Sequence, residues 1–116
     1  MILTLVFLKF IGEKFYRHRE KIKSDMAARN LPADRFIENP PFYQRDGVFY
    51  LPKECRWEVL LSTDSARLPL AIDLMVSNLD STIESLRGAL PMKLFTESRI
   101  EGKTLKALID EINKNQ

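Results

Sequence analysis

Histidine, cysteine and tryptophan each occur once in this chain of 116 residues, and glycine only four times. A single cysteine, Cys55, cannot close an internal disulfide or build a cysteine-rich metal site. A reducing, cytosolic setting is the natural expectation. A single histidine, His18, gives no His cluster and leaves little for a His–Cys pair or a Ser–His–Asp triad. The glycines, Gly12, Gly47, Gly88 and Gly102, stand far apart, so none belongs to a glycine-rich cofactor loop. Long apolar runs are missing too. Met1–Leu8 gives way to charge at Lys9, far short of the roughly 20 apolar residues that span a bilayer. It has no basic leader and no small-residue cleavage site, so it reads as a core helix and not a targeting segment. Charge of one sign is scarce as well: 18 basic residues against 16 acidic leave a net +2. That excess by itself does not argue for nucleic acid.

What is present is an ordinary globular balance, 45% hydrophobic and 29% charged, enough for one domain with a modest core. Leu3, Val6, Phe7, Phe10, Ile11 and Phe15 recur at three- and four-residue spacing, the signature of one helical face. Lys9, Glu13, Arg17 and Glu20 fall opposite. This first helix is expected to end near Ala28, ahead of Leu31-Pro32. Gly12 inside it offers close approach to a neighbour. Asn30 to Asp46 reads as a loop broken by Pro32, Pro40 and Pro41. Val48 to Leu51 is either one short strand or an extended segment whose aromatics pin the loop to the core.

Past Pro52, Lys53 to Leu61 suits a short helix that buries Trp57. Ser62 to Ser65 holds capping residues for the next helix, which runs from Arg67 to Leu86 with Pro69 in its first turn and Gly88 as its stop. Leu68, Ile72, Met75 or Val76, Leu79, Ile83 and Leu86 face inward on it. Asp73, Asp80 and Glu84 are assigned to its solvated side, as are Asp110 and Glu111 on the last helix. Thr96 to Ile100 is irregular. The helix after Gly102 turns Leu105, Leu108, Ile109 and Ile112 inward. The expected architecture is mainly α: a single small domain over 1–116 with four to five helices, a long loop and at most one short extended segment.

Charge is unevenly distributed. From Lys9 to Arg29 there are seven basic residues and three acidic ones, a local excess larger than that of the whole chain. Lys14, Arg17, Arg19, Lys21 and Lys23 are the candidate contacts for DNA or a partner protein, set against the plainer reading of a solvated helix end. His18, between two arginines, is expected to be solvated. Cys55 is expected to be a buried small side chain and Trp57 a core anchor.

Two stretches carry more information than the rest. The first is Val6-Phe-Leu-Lys-Phe-Ile-Gly-Glu-Lys-Phe-Tyr-Arg-His-Arg-Glu20. The second is Asp46-Gly-Val-Phe-Tyr-Leu-Pro-Lys-Glu-Cys-Arg-Trp57. In this order and spacing they resemble the N-terminal helical domain of the modification (M) subunit of type I restriction-modification DNA methyltransferases. Leu86-Arg-Gly-Ala-Leu-Pro91 and Leu105 to Ile112 extend the resemblance over nearly the whole chain. The resemblance implies a non-catalytic domain that helps assemble M with the specificity (S) subunit and a second M, and closes the complex around double-stranded DNA. The implied parent activity is N6-adenine methylation from S-adenosylmethionine. The cofactor domain and a further upstream helical segment would then lie outside these residues. The alternative is a stand-alone helical interaction or DNA-binding module.

Asn39-Pro-Pro-Phe42 matches the [ND]PP[YF] tetrapeptide of amino-methyltransferases, where the polar residue and a proline carbonyl hold the target amine and the aromatic stacks on the flipped base. Here no glycine loop and no buried strand run precede it, and the plain reading is a loop breaker. No catalytic, cofactor or metal residues are therefore assigned. Finally, Ile2 to Ile11 is apolar over more than half its circumference. A helix of that kind wants cover on a second face. A two-fold homodimer through Ile2, Leu3, Val6, Phe7 and Phe10 is the expectation.

Overall fold

The computed structural model describes residues 2–114, and all its regular elements are helical. In chain order they are α1 (Ile2–Ala28), α2 (Pro41–Gln44), α3 (Trp57–Leu61), α4 (Leu68–Thr82), α5 (Leu94–Glu97) and α6 (Gly102–Lys114), with 3-10 turns at Ala33–Arg35, Lys53–Cys55, Ser65–Arg67 and Glu84–Leu86. Two of the six α-helices, α2 and α5, are single turns. The mainly α expectation holds. No strand forms among the described residues; Val48 to Pro52 runs without regular structure, and Tyr50 and Leu51 pin it inward.

Helix α1, about 40 Å long at 1.5 Å per residue, nearly matches the molecule's 50 Å long axis. Helices α3 and α6 lie on it. Helix α6 also touches α4, which carries α5 on another side. One apolar cluster joins all of them, with Leu5, Phe15, Tyr43, Leu60, Ile72, Leu79, Leu105 and Ile109 shut off from solvent. None of the described helices is long and apolar enough to cross a membrane.

The buried face of α1 differs from the expected one. Ile11 and Phe15 are buried as anticipated, but Leu3, Val6 and Phe10 are 82%, 45% and 54% exposed. The face that packs is Leu5, Leu8, Gly12, Phe15, Ile22 and Met26, an alternation of three- and four-residue steps with Arg19 filling the remaining place. Apolar residues surround the first three turns, so two stripes were available there. Alignment with Ile22 and Met26 selects one. Gly12 belongs to it for a steric reason: a Cβ there would meet Trp57 Cβ at 3.1 Å.

Polar residues assigned to solvent are also drawn in. Lys9 is buried, and its Nζ donates to the carbonyls of Ile112 (2.8 Å) and Asn113 (3.2 Å) while facing Glu13 at 3.3 Å. A cation at the last carbonyls of a helix satisfies acceptors that have no partner within it. Asp73 is buried on α4 and accepts from Phe95 N (3.1 Å), Thr96 N (2.8 Å) and Thr96 Oγ1 (2.7 Å), so one helix caps the next across space. Asp80 takes the Gly88 amide at 2.7 Å. Glu84 stays exposed. The Ser62 and Thr63 hydroxyls bond back to Val59 O and close α3, and no side chain caps the start of α4.

Candidate nucleic-acid interface

The second half of α1 carries the basic run, and the helix divides it. Steps of three and four residues put Lys14, Arg17 and Lys21 on one exposed stripe. Arg17 is 81% exposed and reaches Glu13 only at 3.9 Å, a contact worth little at a surface. Lys14 Nζ lies 5.4 Å from the Phe10 ring centroid. Among the described residues, neither Lys14 nor Lys21 forms an ion pair. The stripe is therefore a row of largely unneutralised cations.

The other two candidates leave it. Lys23 turns aside to Glu20 at 3.4 Å. Arg19 points toward the core: it is half-buried, and its Nε is enclosed without a hydrogen-bond acceptor among the described residues. Its charge sits beside Glu38 and Tyr43.

His18 is not solvated. Its side chain is 10% exposed, with Nε2 at 2.8 Å from Phe42 O and 3.2 Å from Asp46 Oδ2. Two acceptors at one ring nitrogen place the N–H there. The histidine thus ties α1 to the turn after α2. Gly47, at φ +72°, reverses the chain in that turn as a glycine readily does. Val48 is thereby brought against α1, where it floors a shallow groove of about 230 Å³ with Lys14, Arg17, His18 and Lys21.

The second motif is internal. Arg56 is 5% exposed, donates from Nη2 to Glu38 at 2.6 Å and from Nε to Leu51 O at 3.1 Å, and covers the Phe15 ring at 4.6 Å. Tyr50 adds a 3.1 Å hydrogen bond to Glu38. Burial alone would raise the Glu38 carboxyl, but the hydrogen bonds from Arg56 and Tyr50 hold it below its ordinary value. Burial likewise works against the Arg56 cation, and the bond to Glu38 outweighs it and raises its pKa. Sequence reading missed Glu38 altogether, because nothing local marks a loop glutamate as an arginine's partner. Burial, reinforced by a hydrogen bond to Glu58, pushes the Tyr16 hydroxyl up to about 12. Burial also raises Tyr43 to about 12, and its hydroxyl donates to Ile37 O at 2.6 Å. Cys55 is buried as expected, and burial, aided by the Glu54 charge, pushes its thiol up to about 12. Trp57 is a core anchor as expected, donating from Nε1 to Asn113 Oδ1 at 3.1 Å.

The Asn39–Phe42 segment is built into the fold. Pro40 already has helical backbone angles, and Pro41 opens α2. The Phe42 ring meets Phe36 edge-on at 5.0 Å and carries the Arg45 guanidinium at 4.9 Å. The four glycines stand far apart, and no strand forms beside this segment among the described residues. No group of metal-ligating side chains converges among them either.

A helical domain with a structural arginine–glutamate core and a bare basic stripe is the class these observations define. The chain belongs to the HsdM N-terminal domain family, whose model matches residues 1–112. The methylase subunit of the type I restriction enzyme MjaIX from Methanocaldococcus jannaschii is 27% identical over 124 aligned positions, covering 98% of this chain and 22% of that protein. The chain thus spans about a fifth of the length of this curated relative.

Proposed function

We propose that this domain is the non-catalytic assembly and DNA-clamping part of a cytosolic type I N6-adenine DNA methyltransferase. Methyl transfer and S-adenosylmethionine binding then belong to residues outside this chain. The domain would dock the M subunit to the S subunit and to a second M. Lys14, Arg17 and Lys21 would meet DNA phosphates, contacts that add affinity without reading sequence. The observation that carries the reading is the unneutralised stripe on a domain of this family. The apolar end of α1, with Ile2, Leu3, Val6 and Phe10 exposed and Phe7 half-buried beside them, supports pairing of two copies when the domain is alone.

The test has two arms. Incubated alone with cofactor and unmethylated target duplex, the chain is expected to label nothing; labelling that disappears in Asn39→Ala would overturn the non-catalytic assignment. In the assembled methyltransferase, Lys14→Glu/Arg17→Glu/Lys21→Glu should weaken DNA binding uniformly across sequences and flatten its salt dependence. Unchanged binding at low salt would return the stripe to a plain solvated surface. Sedimentation of the isolated chain checks the pairing, and a monomer at high concentration rejects it.

A further inference from the structure

The basic stripe does not end at Lys14. Its groove continues into a second cleft of about 140 Å³, and Lys14 and Val48 line both. The second cleft is walled by aromatic rings: Phe10, Phe7 and, from the segment behind Gly47, Phe49. Phe10 is 54% exposed and Phe49 half-buried. Water occupies roughly 30 Å³ per molecule, so the cleft has room for a flat ring and not merely for solvent. One continuous channel therefore runs from three cations to an aromatic pocket. Two carboxylates lie near its basic part: Glu13, 3.9 Å from Arg17 and 3.3 Å from Lys9, and Asp46, which is held by His18 and Arg45.

Duplex DNA can use only half of this arrangement. Its phosphates would meet the cations, but its base faces are stacked on one another and closed to Phe10 and Phe49. An unpaired strand offers both parts, and aromatic platforms beside a basic track are how proteins hold single strands. We propose that this channel binds a short unpaired stretch of DNA, with one base in the cleft of Phe10 and Phe49 and neighbouring phosphates on Lys14, Arg17 and Lys21. The proposal rests on the reading that this stripe contacts DNA and states which form it prefers. Phe7 and Phe10 also belong to the self-association patch, so binding should dissociate paired copies.

The test is fluorescence anisotropy with the 116-residue chain, at concentrations where sedimentation shows monomer. Three labelled probes are compared: a twelve-nucleotide oligothymidine, an abasic strand of equal length, and a twelve-base-pair duplex. The oligothymidine should bind about tenfold tighter than either. Phe49→Ala should erase about five- to tenfold of that preference, within the range for one base stacked on an aromatic ring, and leave duplex binding unchanged. Phe10→Ala, at an exposed position, serves if Phe49→Ala loses helicity. Equal affinity for the oligothymidine and the abasic strand, or tighter duplex binding, would overturn the proposal and leave phosphate contact standing. Binding of no probe would remove both.

Discussion

Arg56 and Arg17 lie in the two most informative stretches of this sequence and have opposite fates. Arg56 sits in the core, bonded to Glu38 and Leu51 and stacked on Phe15. Arg17 stands in solvent on α1, reaching Glu13 only at 3.9 Å. The same division separates Lys9, Arg19 and Arg56 from Lys14, Arg17 and Lys21. The inner cations are satisfied or enclosed and organise the fold. The outer ones leave the fold nearly indifferent, and this frees them for contact with something else. In this domain the more distinctive motif is architectural, and the less distinctive charge run is the candidate surface.

The comparison is broken most severely from inside. Glu38→Ala leaves the Arg56 guanidinium buried and unpaired, and should cost about 3 kcal/mol, the lower end for a severed buried pair because the carboxylate is partly hydrated. Urea unfolding reads this directly, and a loss below about 1 kcal/mol would mean that Arg56 finds water or another partner. Asp73→Ala comes next. It strips two amides and a hydroxyl of their acceptor and should cost about 2 kcal/mol, with amide exchange accelerating locally at Phe95 and Thr96.

A smaller effect follows from pH. Glu38 titrates below its ordinary 4.5 in the folded state, so the unfolded chain takes up this proton first as acid is added. Its stabilising contribution is complete above that ordinary value and fades as pH falls toward and through the depressed one. Wild type should lose stability over that acid window by more than Glu38→Gln, and parallel curves would remove Glu38 as the cause. The smallest effect tests the outer set. Lys14→Gln/Arg17→Gln/Lys21→Gln should change stability by no more than about 0.5 kcal/mol. In the complex proposed above, it should lower the salt slope of DNA binding by up to about 3, one for each phosphate left without its cation. A destabilised triple variant would show that the two sets of cations are not separable.

The class and most elements could be read from spacing alone. The length of α1, its end near Ala28, Pro69 in the first turn of α4 and the inward set from Leu68 to Leu79 all follow from helical period and backbone limits. Two kinds of residue could not be read. Where apolar residues surround a helix, as in Ile2 to Ile11, periodicity does not say which stripe packs. Polar side chains whose partners are remote in sequence look solvated from their own helix: Lys9 at the end of α6, Asp73 at α5 and His18 at Phe42. Their spacing along their own helices suits a solvated face, and only the far partner makes burial favourable.

Local chemistry thus determined, from the sequence by itself, that this chain forms helices, that α1 ends ahead of Pro32, and that Lys14, Arg17 and Lys21 share a face, because each depends on residues within a few turns of one another. Helix α4 stops at Thr82, well before the Gly88 expected to end it. The tertiary structure decided which face of α1 is core, that Arg56 needs Glu38, that Arg19 leaves the basic stripe and that Val48 and Phe49 extend it into an aromatic cleft. Those outcomes hang on contacts between segments distant in the chain, where the energy of burial is settled by the neighbour that arrives and not by the residue that waits.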